Sequence, residues 1–172
     1  MVRMNSWRVP AQASAALLGL FLAACGSTAS TAGTGSSPNG SGTQVVQTAT
    51  ATVGGKSETI LTDTHGMTLY FFDPDSPTKI ACTGACASTW PPLTTTADNV
   101  TGGPGLTLTF SVLNGANGKQ VLANGHPLYT FAQDKAAGDT KGEGLFGKWH
   151  VATPSITAAV AASASATSRY GY

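Results

Sequence analysis

Apolar and polar residues alternate through the middle of this chain with a period of two, the spacing of strands rather than helices. Residues 45–53 and 57–62 read as two strands joined by Gly54-Gly55, a pair suited to a tight hairpin turn. Residues 68–72 (Thr-Leu-Tyr-Phe-Phe) form a third strand, stopped by Asp73-Pro74-Asp75. Residues 106–113 alternate Leu, Thr, Phe and Val, and residues 120–123, 127–131 and 148–152 extend the series. Asn-Gly pairs at 114–115, 117–118 and 124–125 punctuate it. No stretch inside this span carries helical periodicity. The expected fold is all-β and mostly antiparallel.

The pattern also repeats. Gly66, Leu69, Tyr70, Phe72, Asp75 and Trp90 recur 59 positions later as Gly125, Leu128, Tyr129, Phe131, Asp134 and Trp149. Six ungapped matches in a chain with few aromatics imply one structural unit used twice. The prediction is therefore two related antiparallel β-meander repeats, about 53–93 and 112–154, packed into one small sandwich- or barrel-like domain. In an extended strand Tyr70 and Phe72 share one face and Leu69 and Phe71 the other. Tyr129 and Phe131 repeat that arrangement, so the Tyr/Phe face is expected to be the buried one. Asp75 and Asp134 fall past the strand ends, where a carboxylate accepts hydrogen bonds from turn N–H groups. Trp90 and Trp149 would return a large ring to the same core.

The ends of the chain are different. Arg3 and Arg8 precede an apolar, small-residue run too short to span a membrane, which ends in Leu22-Ala23-Ala24-Cys25. This resembles the lipobox of bacterial lipoproteins, which implies that residues 1–24 are a signal peptide and that Cys25 carries an acyl anchor such as palmitate in the bilayer. Residues 25–43 supply that cysteine and a Gly/Ser/Thr tether with nothing to bury. The folded part is expected over residues 44–154, followed by an Ala/Ser-rich tail at 155–172. Without Arg3 and Arg8, Lys plus Arg falls from 9 to 7 against 8 acidic residues. With neither a net positive charge nor a basic stripe, nucleic acid is excluded as a partner.

Cys82 and Cys86 are close in sequence and, in an exported chain, are expected to form a disulfide. Three residues separate them, and no helix start is evident beside them, unlike redox-active pairs. Their positions map onto Lys141 and Leu145, so only one repeat has the cysteine loop.

Several segments together carry a family resemblance. Tyr70-Phe71-Phe72-Asp73-Pro74-Asp75 and Tyr129-Thr130-Phe131-Ala132-Gln133-Asp134 both fit a Tyr-x-aromatic-x-x-Asp repeat. The run from Cys82 to Leu93, the run from Asn124 to Tyr129, and Gly138-Asp139-Thr140-Lys141-Gly142 flank them. These residues resemble the bacterial secreted-repeat lipoprotein family over about residues 53–154. The resemblance implies an extracytoplasmic protein anchored to the cell membrane. It carries over no reaction.

Candidate chemistry is sparse. No Gly-x-Ser-x-Gly elbow, phosphate loop or calcium-loop spacing is present, and Glu58 and Glu143 sit in no motif. The glycine-rich run at 138–147 reads as a mobile surface loop. His65 and His126 flank the repeated glycines and His150 follows the second tryptophan, so the three could converge if the repeats pack about a twofold axis. The expected function is a non-enzymatic binding or interaction module at the cell envelope, with an envelope protein or small ligand as partner and no cofactor. The alternative is an electron-transfer accessory that binds copper or haem through Cys82, Cys86 and the histidines.

Overall fold

The computed structural model describes residues 42–160. The expected signal peptide, Cys25, most of the tether and residues 161–172 lie outside the described residues. The first hairpin pairs β1 (Thr43–Val53) with β2 (Lys56–Thr62), in register from Gln47 opposite Thr62 to Val53 opposite Lys56. Gly54 and Gly55 turn it with φ of 56° and 83°, the left-handed region that disfavours any side chain. The second hairpin, β5 (Phe110–Gly115) with β6 (Gly118–Ala123), is its counterpart and continues into the short strand β7 (His126–Pro127). Between them lie β3 (Tyr70–Phe72) and β4 (Val100–Gly102), and β8 (Trp149–Val151) closes the series.

The two repeats are interlocked. Strand β3 of the first repeat pairs with β8 of the second, Tyr70 opposite Val151 and Phe72 opposite Trp149. The reciprocal bridge joins Tyr129 to Pro92 of the first repeat. At the centre Tyr70 and Tyr129 exchange both backbone hydrogen bonds, at 2.8 and 3.0 Å. On either side lies a closed ring of three such bonds. Leu61 N–H donates to Ala152, Ala152 N–H to Leu69, and Leu69 N–H to Leu61, at 2.8, 2.8 and 2.9 Å. Val121, Leu93 and Leu128 form the same ring. In each ring one member comes from the other repeat.

Period-two alternation sorts the side chains into two cores. Leu69 and Leu128 join Val46, Leu61, Val100, Val121 and Ala152. Tyr70, Tyr129, Phe131, Trp90 and Trp149 join Ile60, Cys82 and Val151. The expectation of one buried face therefore needs correcting: Leu69 and Leu128 are as fully buried as the tyrosines, because elements cover both sides of these extended segments.

Three further differences have physical reasons. Strand β4 runs parallel to β1 from Thr43 opposite Val100, a pairing that three residues without alternation do not advertise. A short helix, α1 (Ala85–Thr89), occupies the cysteine loop, too short for any period to register. The sheets are separate, of three, two and three strands, and do not close into a barrel. Cys82 and Cys86 are joined as a disulfide across the start of α1.

Candidate functional site

Two places in the domain gather chemistry, and the first is the seam between the repeats. The Tyr70 hydroxyl donates to Asp134 Oδ2 at 2.7 Å, and the Tyr129 hydroxyl donates to Asp75 Oδ2 at 2.6 Å. Each motif tyrosine is thus bound to the aspartate of the other repeat. The remaining oxygens accept from turn backbone, Asp75 Oδ1 from Ala81 N–H at 2.6 Å and Asp134 Oδ1 from Lys141 N–H at 3.1 Å. Turn capping by these aspartates was expected from the sequence; the crossed tyrosine bonds were not. Burial pushes both carboxyls above the usual carboxylate range, against the opposing pull of the hydroxyl and backbone donors. Burial also raises both phenols, helped by the carboxylates beside them.

Above this seam the aromatic rings form a column. Phe72, Trp149, Trp90 and Phe131 stack in that order, with centroid steps of 4.4, 3.7 and 4.3 Å. The two indoles lie within 2° of parallel. Tyr70 meets Trp90 edge-on at 5.4 Å, and Tyr129 meets Trp149 at 5.2 Å. Gly142 fits beneath: its N–H donates to the Tyr70 oxygen at 3.2 Å, and a Cβ there would lie 2.7 Å from the Trp90 ring and 2.8 Å from that of Tyr70. The glycine-rich run is therefore pinned rather than free, with Thr140 and Asp139 also bonded to Thr52 and Thr68 of the first repeat. Gly142→Ala should destabilise the domain by about 2 kcal/mol through overpacking, measured by denaturant unfolding.

The second place is a cleft of about 570 Å3 whose walls include Phe71, His126, Glu143, His150 and Ile156. Phe71 and His150 are direct cross-strand partners, with ring centroids 5.3 Å apart. On the other side of β3 the second repeat brings His126 within 4.8 Å of the same ring. His150 Nε2 lies 3.2 Å from Asp73 Oδ2, and its Nδ1 lies 3.7 Å from Glu143 Oε1. Glu143 Oε2 is fixed by Val151 N–H at 2.6 Å. His126 Nε2 bonds the Thr157 carbonyl at 3.1 Å, so that nitrogen carries the hydrogen and Nδ1 is left as an acceptor. Burial lowers the His126 pKa, favouring the neutral ring.

Residues beyond Pro154 form one wall of this cleft. Asn124 holds them, its side-chain N–H donating to the Ile156 carbonyl and its own carbonyl accepting from Ala159 N–H, each at 2.9 Å. Its Oδ1 also accepts from Thr109 N–H. Asn124→Ala should release this wall, seen as faster amide exchange at Ala159 and cleavage within residues 155–160 by added protease, at about 1 kcal/mol in global stability.

The structure thus brings His126 and His150 into one cleft but places His65 elsewhere. His65 has 85% of its side chain exposed and sits in a turn, 3.6 Å from Asp63. Phe71 stands between the other two imidazoles, and the cysteine sulfurs are bonded to each other. Among the described residues no three His, Cys, Asp or Glu side chains are grouped to hold a metal ion. Phe71 and Glu143 are cleft residues that sequence reasoning missed. The signal for Phe71 was its place opposite His150 if β3 and β8 pair.

The interlocked halves, the crossed tyrosine–aspartate bonds and the single short disulfide define a duplicated all-β domain of exported type. The chain belongs to the family described as a secreted repeat of unknown function, which matches residues 51–94 and 111–153. Comparison with curated proteins and with solved structures gave no match. Family membership places the domain outside the cytoplasm, the compartment in which a Cys82–Cys86 disulfide persists.

Proposed function

We propose that the protein is a lipid-anchored, non-enzymatic binding module of the cell envelope, and that it binds a small ligand in the cleft around Phe71. The observation that carries this reading is the cleft itself. It gathers an aromatic ring, two imidazoles and the Glu143 carboxylate, none of which belongs to the tyrosine–aspartate seam. Pockets that combine an apolar ring with a few convergent polar groups are the usual place for small-molecule recognition.

The test is a ligand-observed NMR screen of a small-molecule fragment set, followed by amide shift mapping. Binders should shift resonances of Phe71, His126, His150 and Thr157, and Phe71→Ala should abolish the effect. Binders that map elsewhere, or none across the set, would overturn the reading.

Anchoring is tested separately. Cys25→Ala should leave export intact but move the protein from the membrane fraction to the soluble exported fraction, by immunoblot. One or more acyl chains supply that attachment at about 0.8 kcal/mol per buried methylene.

A copper or haem carrier would need free thiolates at Cys82 and Cys86 and histidines that reach one ion. The bonded sulfurs and the interposed Phe71 ring favour the binding reading over that one.

A further inference from the structure

We infer that the aromatic column and its two tyrosine–aspartate pairs form a protein-based redox centre, which reversibly gives up one electron to a one-electron oxidant. The inference is independent of the ligand cleft and rests on three features of the seam.

The first is the indole pair. Aromatic rings in cores favour offset or edge-on contacts, because their quadrupoles repel face to face. Trp90 and Trp149 instead stack with centroids 3.7 Å apart and planes 2° from parallel. Such a pair shares a positive hole over two rings, so an electron is easier to remove from it than from one indole. Phe72, at one end of the column, is half-buried and brings the stack towards the surface.

The second is the position of the tyrosines. Tyr70 touches Trp90 and Tyr129 touches Trp149, each at little more than 5 Å between ring centroids. Each can refill the hole. The third is the partner of each hydroxyl. A phenol loses an electron readily only if its proton leaves at the same time. Asp134 and Asp75 are acceptors for that proton at 2.7 and 2.6 Å. As a packing device alone the arrangement is poor: phenylalanine would fill the same space without a buried carboxylate to desolvate.

The step balances as follows. The oxidant takes one electron from the Trp90–Trp149 pair and is reduced. Tyr70 passes an electron to the indole radical cation while its Oη–H bond breaks and the proton moves to Asp134 Oδ2. The products are a neutral tyrosyl radical, a neutral carboxylic acid and restored indoles. A one-electron reductant returns the electron, and the proton goes back to the phenol. Tyr129 and Asp75 do the same in the other half.

The test uses the full chain with Trp7→Phe, Tyr170→Phe and Tyr172→Phe, so that Trp90 and Trp149 are the remaining indoles and Tyr70 and Tyr129 the remaining phenols. The probe oxidant is photogenerated tris(bipyridine)ruthenium(III), with transient absorption and electron paramagnetic resonance as readouts. A tyrosyl radical should follow a short-lived tryptophan radical and should form more slowly in deuterium oxide. Tyr70→Phe with Tyr129→Phe keeps the rings and should leave only the tryptophan species. Asp75→Asn with Asp134→Asn removes both bases and should slow tyrosyl formation by about a hundredfold, the scale of a lost positioned base. A tryptophan radical that decays without a tyrosyl signal in the parent chain would overturn the inference. So would a rate unaffected by deuterium, a reading available even if an aspartate variant does not fold.

Discussion

Trp149→Ala should unfold the domain or bring it close to unfolding, with a loss of about 4 kcal/mol in denaturant midpoint measurements. The ring is 2% exposed and stacks on Trp90 on one side and Phe72 on the other, with Tyr129 edge-on. Its removal opens a void whose walls come from both repeats. A small domain has on the order of 5–15 kcal/mol in total, so this single side chain is a large share. Trp90→Ala should behave alike, because Trp90 stacks on Phe131 as Trp149 stacks on Phe72. If either variant keeps wild-type stability, the column does not hold the halves together. Trp149→Phe retains part of the stack and should recover more than half of the loss.

Asp134→Asn should cost about 2 kcal/mol at neutral pH, because its two acceptor oxygens face two donors. An asparagine offers one oxygen, so either the Tyr70 hydroxyl or the Lys141 N–H meets an amide N–H2. A double-mutant cycle with Tyr70→Phe should show coupling of about 1 kcal/mol across the repeat boundary. Tyr70 with Asp75, its own-repeat aspartate, should show none, since the observed bonds are crossed.

The pH dependence has a definite sign. Burial raises the Asp134 carboxyl in the folded state above its ordinary 3.8, so the folded protein holds that proton more tightly than the unfolded chain. The group's contribution is then fully present below pH 3.8 and declines as pH rises through the raised value. The stability gap between wild type and Asp134→Asn should accordingly be widest in acid and narrow towards neutral pH. Asp75 follows the same rule. Asp139, held down to about 2 by Lys141 and turn N–H groups, runs the other way and loses its contribution as pH falls below 3.8. A gap that widens with rising pH would show that the donors, and not burial, dominate at Asp134.

Much of this fold was legible in the residues themselves. The hairpin at Gly54-Gly55, the strand at Tyr70, the cysteine pair and the duplication all carry local signals. The strand expected over 127–131, by contrast, shrinks to His126–Pro127 with an isolated bridge at Tyr129, because Tyr129 is shared between Tyr70 and Pro92 of the other repeat. Which repeat's aspartate meets which tyrosine carries no local signal. The spacing from Tyr70 to Asp75 is the same whether the bond closes within a repeat or across the pair. The burial of Leu69 and Leu128 was hidden for a similar reason, since alternation reveals two faces without saying that both are covered. At the cleft, His126 and His150 were visible candidates because they flank repeated positions. Phe71 and Glu143 were not, as their roles depend on β3 lying against β8 and on the turn into Trp149.

The crossed pairing has a consequence for how such a domain is put together. A lone copy of the unit lacks the observed acceptor for its tyrosine, the strand beside β3 and the rings that stack on its tryptophan. A second copy supplies them, so the unit is built to work as a twofold pair, whether the copies are separate or joined. Joining the copies through the segment between Leu93 and Phe110 replaces a dilute encounter by an effective concentration in the millimolar range. Once joined, the halves need not be identical. One carries a cysteine clasp and the other a glycine-rich loop and two cleft histidines, while the seam they share is symmetric.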